Sequence, residues 1–400
     1  MGVLARRFLN LIVPGCTPGV KSLRRIDLTR HELFYPVGFE SAPPPPAAAG
    51  AQDAISRPSA LEMETVRFLG PSFTFRALKN DWKMDCFPLA DYSECKVVCA
   101  DLSGRGFVFD LDSPKVGTIP PLRTPKVMPI SVFVHKPQVD GNYDNYSNGS
   151  SLFLMEKVPQ PEARSGGGHV FYDSVQESEQ FVGLINHRST NPGSDKSWHC
   201  HRLPPPPFVH ETIHWSNNNC PEITAYGVVG GGSHVCISVK GVGTYCLDTE
   251  SHTWNKVGDW TLPFHGKVEY LPQLKLWFGL STGARHCLAA ADLSGMLDSS
   301  SQPQRLVAGP WQELVDLPEE WKECKDPQFV SLGSGRFCIA RFFQEAAGSS
   351  DGVAHKNFTV LTGVEVNSRG KGEGGTWELE LQMTTHRSRR VNDTSIEALF

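Results

Sequence analysis

The chain has 400 residues, 40% apolar and 20% charged, enough for a sizeable core in one large domain or in two or three smaller ones. Its 38 Lys and Arg stand against 43 Asp and Glu, a net charge of −5, so no basic excess exists to neutralise a phosphate backbone and nucleic acid is not the expected partner. The 37 Gly and 30 Pro argue against a helical bundle and for many short strands joined by turns.

Residues 1–5 read as an N-terminal extension. The apolar run that follows is broken by Asn10 and ends at Pro14, too short for a signal peptide. The absence of acids before Asp27 leaves a mitochondrial presequence as the alternative, and Arg6 stands where a myristoylation motif needs Ser or Thr. No segment approaches the ~20 consecutive apolar residues of a membrane helix. The 11 cysteines include no Cys-x-x-Cys pair, and Cys99, Cys236, Cys246 and Cys338 lie inside apolar runs. They are expected to be thiols acting as small core hydrophobes in a reducing compartment, the cytoplasm or nucleus. The sequons at Asn145, Asn148, Asn357 and Asn392 would matter only in a secreted chain.

Further along the chain, strand-length apolar runs recur at 96–100, 106–109, 151–155, 234–238, 274–278 and 336–340. They are rich in Val, Ile, Phe and Trp and are bounded by turn residues, which predicts strands. Helix-period stretches are confined to 59–68 and 318–324. Loop insertions are expected at 38–60, 138–150, 187–196, 298–304, 346–356 and 367–375, and a flexible tail at 391–400. The predicted class is all-β, with one domain spanning 6–390.

An internal repeat organises these strands. Its clearest copy begins at Gly230-Gly-Gly and runs through His234–Val239 and Gly243–Asp248 to Trp254. Glycines lead into one strand; a second ends in an apolar residue plus Asp; a tight turn then leads to a Trp. An Asp at a hairpin corner can accept the backbone N–H groups that follow it, and a Trp can fill the space between packed sheets. The same phrase is expected at Asp27 with Leu33, Asp110 with Val116, Asp173 with Trp198, Asp292 with Trp311, and Glu365 with Trp377. Small units of three or four strands that cannot bury their own faces fit a β-propeller, of six blades here or else five or seven.

Leu247-Asp-Thr-Glu-Ser-His-Thr-Trp254, preceded by Gly230-Gly231, resembles the kelch repeat, with Leu247 in the usual Tyr place. The whole chain also resembles a large family of grass proteins carrying a kelch-like domain of unknown function. That likeness lies in Arg6-Arg-Phe-Leu-Asn-Leu-Ile-Val, Lys21-Ser-Leu-Arg-Arg-Ile-Asp, Ser197-Trp-His-Cys, Leu274-Lys-Leu-Trp-Phe-Gly-Leu and Leu332-Gly-Ser-Gly-Arg-Phe-Cys-Ile-Ala-Arg. The resemblance implies a kelch-like propeller and no set of functional residues. Kelch-like plant proteins often carry an N-terminal F-box, for which residues 1–5 leave no room, so an adaptor role in ubiquitin ligation is not expected.

Several local patterns invite chemistry. Gly279-Leu-Ser281-Thr-Gly283 has nucleophile-elbow spacing, but a strand rather than a helix is expected after it. His187, His199, His201, His210 and His214, with Cys200 and Cys220, form the richest metal-ligand zone; alternation puts His199 and His201 on one strand face. Pro204–Pro207 follow without a further ligand at standard spacing, so surface histidines are expected. Copper chemistry like that of galactose oxidase, another kelch propeller, finds no assignable match among the 8 Tyr. Gly166–Gly168 and Gly230–Gly232 lack the Lys-Ser/Thr of a phosphate loop. Pro43–Pro46 and Pro204–Pro207 read as rigid connectors, and His386-Arg-Ser-Arg-Arg390 as a solvated basic end or, alternatively, a nuclear signal.

No catalytic, cofactor-binding or metal-binding residue is therefore assigned, and neither an enzyme nor a membrane protein is expected. The expected function is a protein–protein interaction scaffold whose partner, a protein, binds loops on one propeller face. The alternatives are an enzyme or small-ligand binder using the central channel, or a diversified paralogue that has lost its partner.

Overall fold

The computed structural model describes residues 6–35 except 16, 18 and 31; 63–76 except 67 and 69; 84–90; 95–135 except 102, 114, 124 and 125; 149–160; 178–188; 196–211; 220–298 except 284; 303–347 except 316; 354–391 except 374 and 375; and 396–400. The extension at 1–5, the whole 38–60 insertion with Pro43–Pro46, most of the 138–150 insertion, Gly166–Gly168, Asp173 and His214 lie outside these.

The strands are β1 (Phe8–Pro14), β2 (Val20–Asp27) and β3 (Phe73–Arg76). β4 (Met84–Ala90), β5 (Cys95–Asp101), β6 (Gly106–Asp110) and β7 (Lys115–Ile119) follow. Then come β8 (Pro129–Val134), β9 (Ser151–Glu156), β10 (Ser178–Arg188) and β11 (Lys196–Leu203). β12 (Ile223–Val229), β13 (His234–Val239), β14 (Gly243–Asp248) and β15 (Trp254–Gly258) carry the clearest repeat. β16 (Phe264–Leu271), β17 (Leu276–Ser281), β18 (Leu288–Ala291) and β19 (Leu306–Trp311) are next. β20 (Lys322–Gly333), β21 (Arg336–Ala347), β22 (Ala354–Glu373), β23 (Thr376–Val391) and β24 (Ala398–Leu399) complete the set. The fold is all-β, as expected; among the described residues no helix is long and apolar enough to cross a membrane.

The chain divides into two compact units: Met1–Arg76 with Trp311–Phe400, and Ala77–Pro310. The second unit holds the four-stranded antiparallel sheets β4–β7 and β8–β11. It also holds an eight-stranded sheet in which β12–β15 and β16–β19 join through a parallel pairing of β12 with β16 (Ala225↔Gly266, Tyr226↔Lys267, Gly227↔Val268). The first unit holds the sheets β24-β1-β2-β3 and β20–β23.

Burial follows from strand alternation. On β9, Leu152 and Leu154 face a core shared with Phe87, Leu89 and Val98 of β4 and β5. The intervening Phe153 and Met155 face a second core, shared with Ile223, Val235, Ile237 and Tyr245. Every β9 residue is buried because a sheet covers each face, which is why this strand reads as an unbroken apolar run. A third core joins Ala225, Cys236 and Cys246 to Phe264, Trp277 and Ala289. In the first unit, Leu9, Leu11 and Ile26 pack with Val330, Leu332, Cys338 and Leu361.

Four of the repeat carboxylates close turns as the pattern predicts. Asp248 accepts from Glu250 N (2.8 Å) and Ser251 N (2.7 Å), Asp110 from Asp112 N and Ser113 N (both 3.0 Å), Asp27 from Thr29 N (3.0 Å), and Asp292 from Ser294 N (2.9 Å). The Ser251 N–H bond holds the Asp248 carboxyl below the usual carboxylate range. Gly230, Gly231 and Gly232 all take positive φ, and Thr249 Oγ1, next to Asp248, donates to Gly232 O at 3.1 Å. Glycine cluster and Asp turn thus brace one another at one end of the sheet. The Trp254 indole donates to Pro204 O at 2.8 Å and meets Phe181 edge-on, tying the proline connector down. Of the other Trp-place residues, Leu33 is buried, but Val116 is 60% exposed on the outer strand β7 and fills no core.

Four expectations are corrected. Glu365 closes no turn; it sits within β22 between Arg336 (3.3 Å) and His386 (3.1 Å), which carry the opposite charge or can acquire it. Of the expected 367–375 insertion, 367–373 is strand: β22 and β23 stay in register from Val366↔Met383 to Glu373↔Thr376, a two-stranded arm beyond the last β21 pair, Arg336↔Glu365. His386–Arg390 is no solvated end: it lies on β23, where Arg389 pairs with Glu64 (2.7 Å) and Arg390 with Glu345 (3.0 Å). Nor is 391–400 frayed throughout. Ile396 and Phe400 are buried, Leu11↔Leu399 and Ile12↔Ala398 pair, and Lys21 meets Glu397 at 2.5 Å. The 187–196 insertion also narrows, since His187 and Arg188 belong to β10 and Lys196 to β11.

Arg341 and Glu313 form a buried ion pair in the first unit, and Glu323 meets the same guanidinium at 3.0 Å. Arg341→Met strands the Glu313 charge, so it should cost about 3 kcal/mol or more in urea unfolding, with Arg341→Met/Glu313→Leu recovering most of the loss. Trp254→Ala should cost about 3 kcal/mol and Trp254→Phe about 1 kcal/mol in the same assay. A loss well under 1 kcal/mol for the alanine variant would remove Trp254 from the packing role assigned to it.

Candidate interaction end of the β8–β11 sheet

Antiparallel order sends alternate connections to the same end of a sheet. The β8–β9 connection, 135–150, and the β10–β11 connection, 189–195, therefore leave the β8–β11 sheet at one end. The histidine-rich stretch begins there. Register pairs His187 with Ser197, Ile185 with His199 and Gly183 with His201. Directly paired residues share a face, so all three histidines stand on one side of the β10–β11 ladder.

Their rings are close. His187 and His199 stack with centroids 4.1 Å apart and planes 16° from parallel, and His201 lies 6.4 Å from His187. Ser197 Oγ is 3.0 Å from His199 Nε2. Burial disfavours a charge on His199, and His187 and His201 add to the effect, so its pKa falls below the usual imidazole value. In-plane lone pairs on two stacked rings run parallel. They do not converge on one ion at ~2.1 Å from each nitrogen, so the pair is not a preformed metal site. The rest of the zone is dispersed. Cys200 alternates to the opposite face, where it packs with Trp198 in the β4–β11 core and burial pushes its thiol up. His210 and Cys220 are exposed beyond the sheet. On the far strands of the same end, His135 Nδ1 lies 3.3 Å from Ser150 Oγ.

Ser281 ends β17, and the chain turns back into β18 rather than into a helix. Its backbone N–H donates to Cys287 O at 2.8 Å, and its carbonyl accepts from His286 Nδ1 at 2.9 Å. The elbow-like spacing is a β-hairpin.

A second feature lies at the opposite end, before β8. The Glu156 carboxylate accepts Val127 N (2.9 Å) and Met128 N (3.1 Å), while the Lys126 ammonium, 3% exposed, donates to Glu179 O at 2.5 Å. Pinned on both sides, this segment holds Val127 and Met128 outward at 75% and 49% exposure. Sequence reading passed over it, because a lone apolar dipeptide gives no periodic signal; the carboxylate that fixes it is 28 residues away.

The His199 depression has a readout. A neutral imidazole in the fold and a protonatable one in the unfolded chain make stability fall as pH drops below ~6.5 toward the lowered value. NMR titration should give His199 a midpoint below ~6.5, and His187→Gln should move that midpoint upward by removing one repelling ring.

The family described as Protein of unknown function (DUF1668) matches residues 6–391, so the chain belongs to that family. No curated protein matches the sequence. Among solved structures, the chain is similar to the β-propeller domain of Cps50 (Swd1) from Myceliophteria thermophila. Identity is 10% over 68% of this chain and 76% of that one, with a TM-score of 0.30.

Proposed function

We propose that this member of the family is a non-catalytic binding protein. Its four four-stranded sheets and the two halves of its eight-stranded sheet act as six kelch-like blades of a propeller, and it holds a protein partner on the loops at one face. The observation that carries this reading is topological: the 135–150 and 189–195 connections leave one end of the β8–β11 sheet. That sheet has a core on each face, so the loops spring from a rigid base. The stacked His187 and His199 sit at the foot of one of them and offer polar, aromatic surface to a partner.

Val127 and Met128 favour a second reading, in which the partner is apolar and docks at the opposite end. Proximity labelling in native tissue separates the two. The full chain is compared with a version shortened within 138–148 and 189–195, and with Val127→Ser/Met128→Ser. Loss of the partner signal by roughly tenfold with the shortened loops, and its retention in the serine variant, is the expected result. The reverse pattern would move the site to the Val127–Met128 end, and no specific partner in any version would refute the scaffold reading.

A further inference from the structure

Two pairs of cysteines face one another across antiparallel strands of the second unit. Cys86 on β4 is in register with Cys99 on β5, and Cys236 on β13 with Cys246 on β14. Antiparallel register places directly opposed Cα atoms ~4.5–5.5 Å apart, inside the range that a disulfide spans without moving the backbone. The Cys86 and Cys99 sulfurs are already in contact at 3.7 Å. The pairs differ in access. Cys86 is half-buried beside a buried Cys99, whereas both members of the other pair are buried.

We propose that Cys86 and Cys99 form an oxidation site: a dithiol that a two-electron oxidant of the peroxide class converts to a cross-strand disulfide. Cys86, the member with solvent access, meets the oxidant. Its thiolate attacks one peroxide oxygen; the S–O bond forms, the O–O bond breaks, and the departing hydroxide takes up a proton as water. The Cys86 sulfenic acid is then attacked by the Cys99 thiolate. The S–S bond forms, the S–O bond breaks, and a second water leaves. Two thiols and one peroxide give one disulfide and two waters, with both sulfurs oxidised and both peroxide oxygens reduced. Register makes the second step intramolecular, so closure outruns attack by a second peroxide.

The deeper pair is the internal reference. Cys236 lies in a core with Met296, its Sγ 4.0 Å from Sδ, and the adjoining Cys246 together with burial holds its thiol well above the ordinary value. It has the register for a bond but neither the thiolate nor the access to begin one.

The test uses the folded full chain, treated with hydrogen peroxide and then N-ethylmaleimide, with peptides mapped before and after reduction. The expected product is a linked Cys86–Cys99 peptide lighter by two hydrogens than its reduced parts and cleaved by dithiothreitol, with Cys236 and Cys246 unlinked. In Cys99→Ser, the same treatment should stop at a Cys86 sulfenic acid trapped by dimedone, or run on to the sulfinic acid. Sulfinic Cys86 beside an unmodified Cys99 in the natural chain would overturn the proposal, as would linkage of both pairs at the same rate. The natural-chain arm decides the matter alone if the serine variant fails to fold.

Discussion

A four-stranded sheet with apolar residues on both faces is unstable by itself, and the fold answers that constraint by stacking. β9 states the rule in six residues: Leu152 and Leu154 go one way, Phe153 and Met155 the other, and each pair finds a neighbouring sheet. A fully buried large apolar side chain is worth roughly 1.5–3 kcal/mol, so a strand that buries both of its faces contributes twice over. No sheet in such a stack can lose its neighbour without exposing a face. This is why the turns, which contribute little burial, must still be geometrically accurate: a hairpin that slipped by one residue would turn each core residue to the wrong side.

The Asp turns and the glycine cluster supply that accuracy. Asp248 fixes the β14–β15 corner with two backbone N–H groups, and Thr249 fastens the corner to Gly232. The device recurs at Asp27, Asp110 and Asp292, each beside a different core, so register is set locally while stability is supplied between sheets. The long 135–150 and 189–195 connections leave the β8–β11 sheet at the end that corresponds to the glycine and Asp corners of the next sheet, and the packing of that sheet comes from the cores on its two faces.

This division also explains what could be read from the residues alone. Asp-turn corners and apolar runs are local, and those at 27, 110, 248 and 292 were legible. Pairing between distant segments was not. Asn367 and the Gly- and Lys-containing residues after it look like loop because their composition carries no strand-period apolar alternation, although the backbone ladder is continuous to Glu373. The end of the chain looked polar because of 392–395, while Ile396 and Phe400 carried an apolar signal too short to weigh. Of the histidine-rich stretch, alternation correctly put His199 and His201 together, but His187 joins them only through the β10–β11 register. Cys86 with Cys99, and Val127 with Glu156, are likewise products of register rather than of any motif.

The first unit is discontinuous in sequence, its two segments lying on either side of Ala77–Pro310. During synthesis the ribosome delivers the whole of the second unit before it delivers β20. The β1–β2 hairpin must meanwhile wait with Leu9, Leu11 and Ile26 lacking the Val330, Leu332 and Leu361 that cover them in the finished protein. Translation at ~5–20 residues per second sets that wait at roughly ten seconds or more for the intervening 77–310. The nascent chain thus carries a half-built sheet whose apolar residues stay uncovered until β20–β22 have been made.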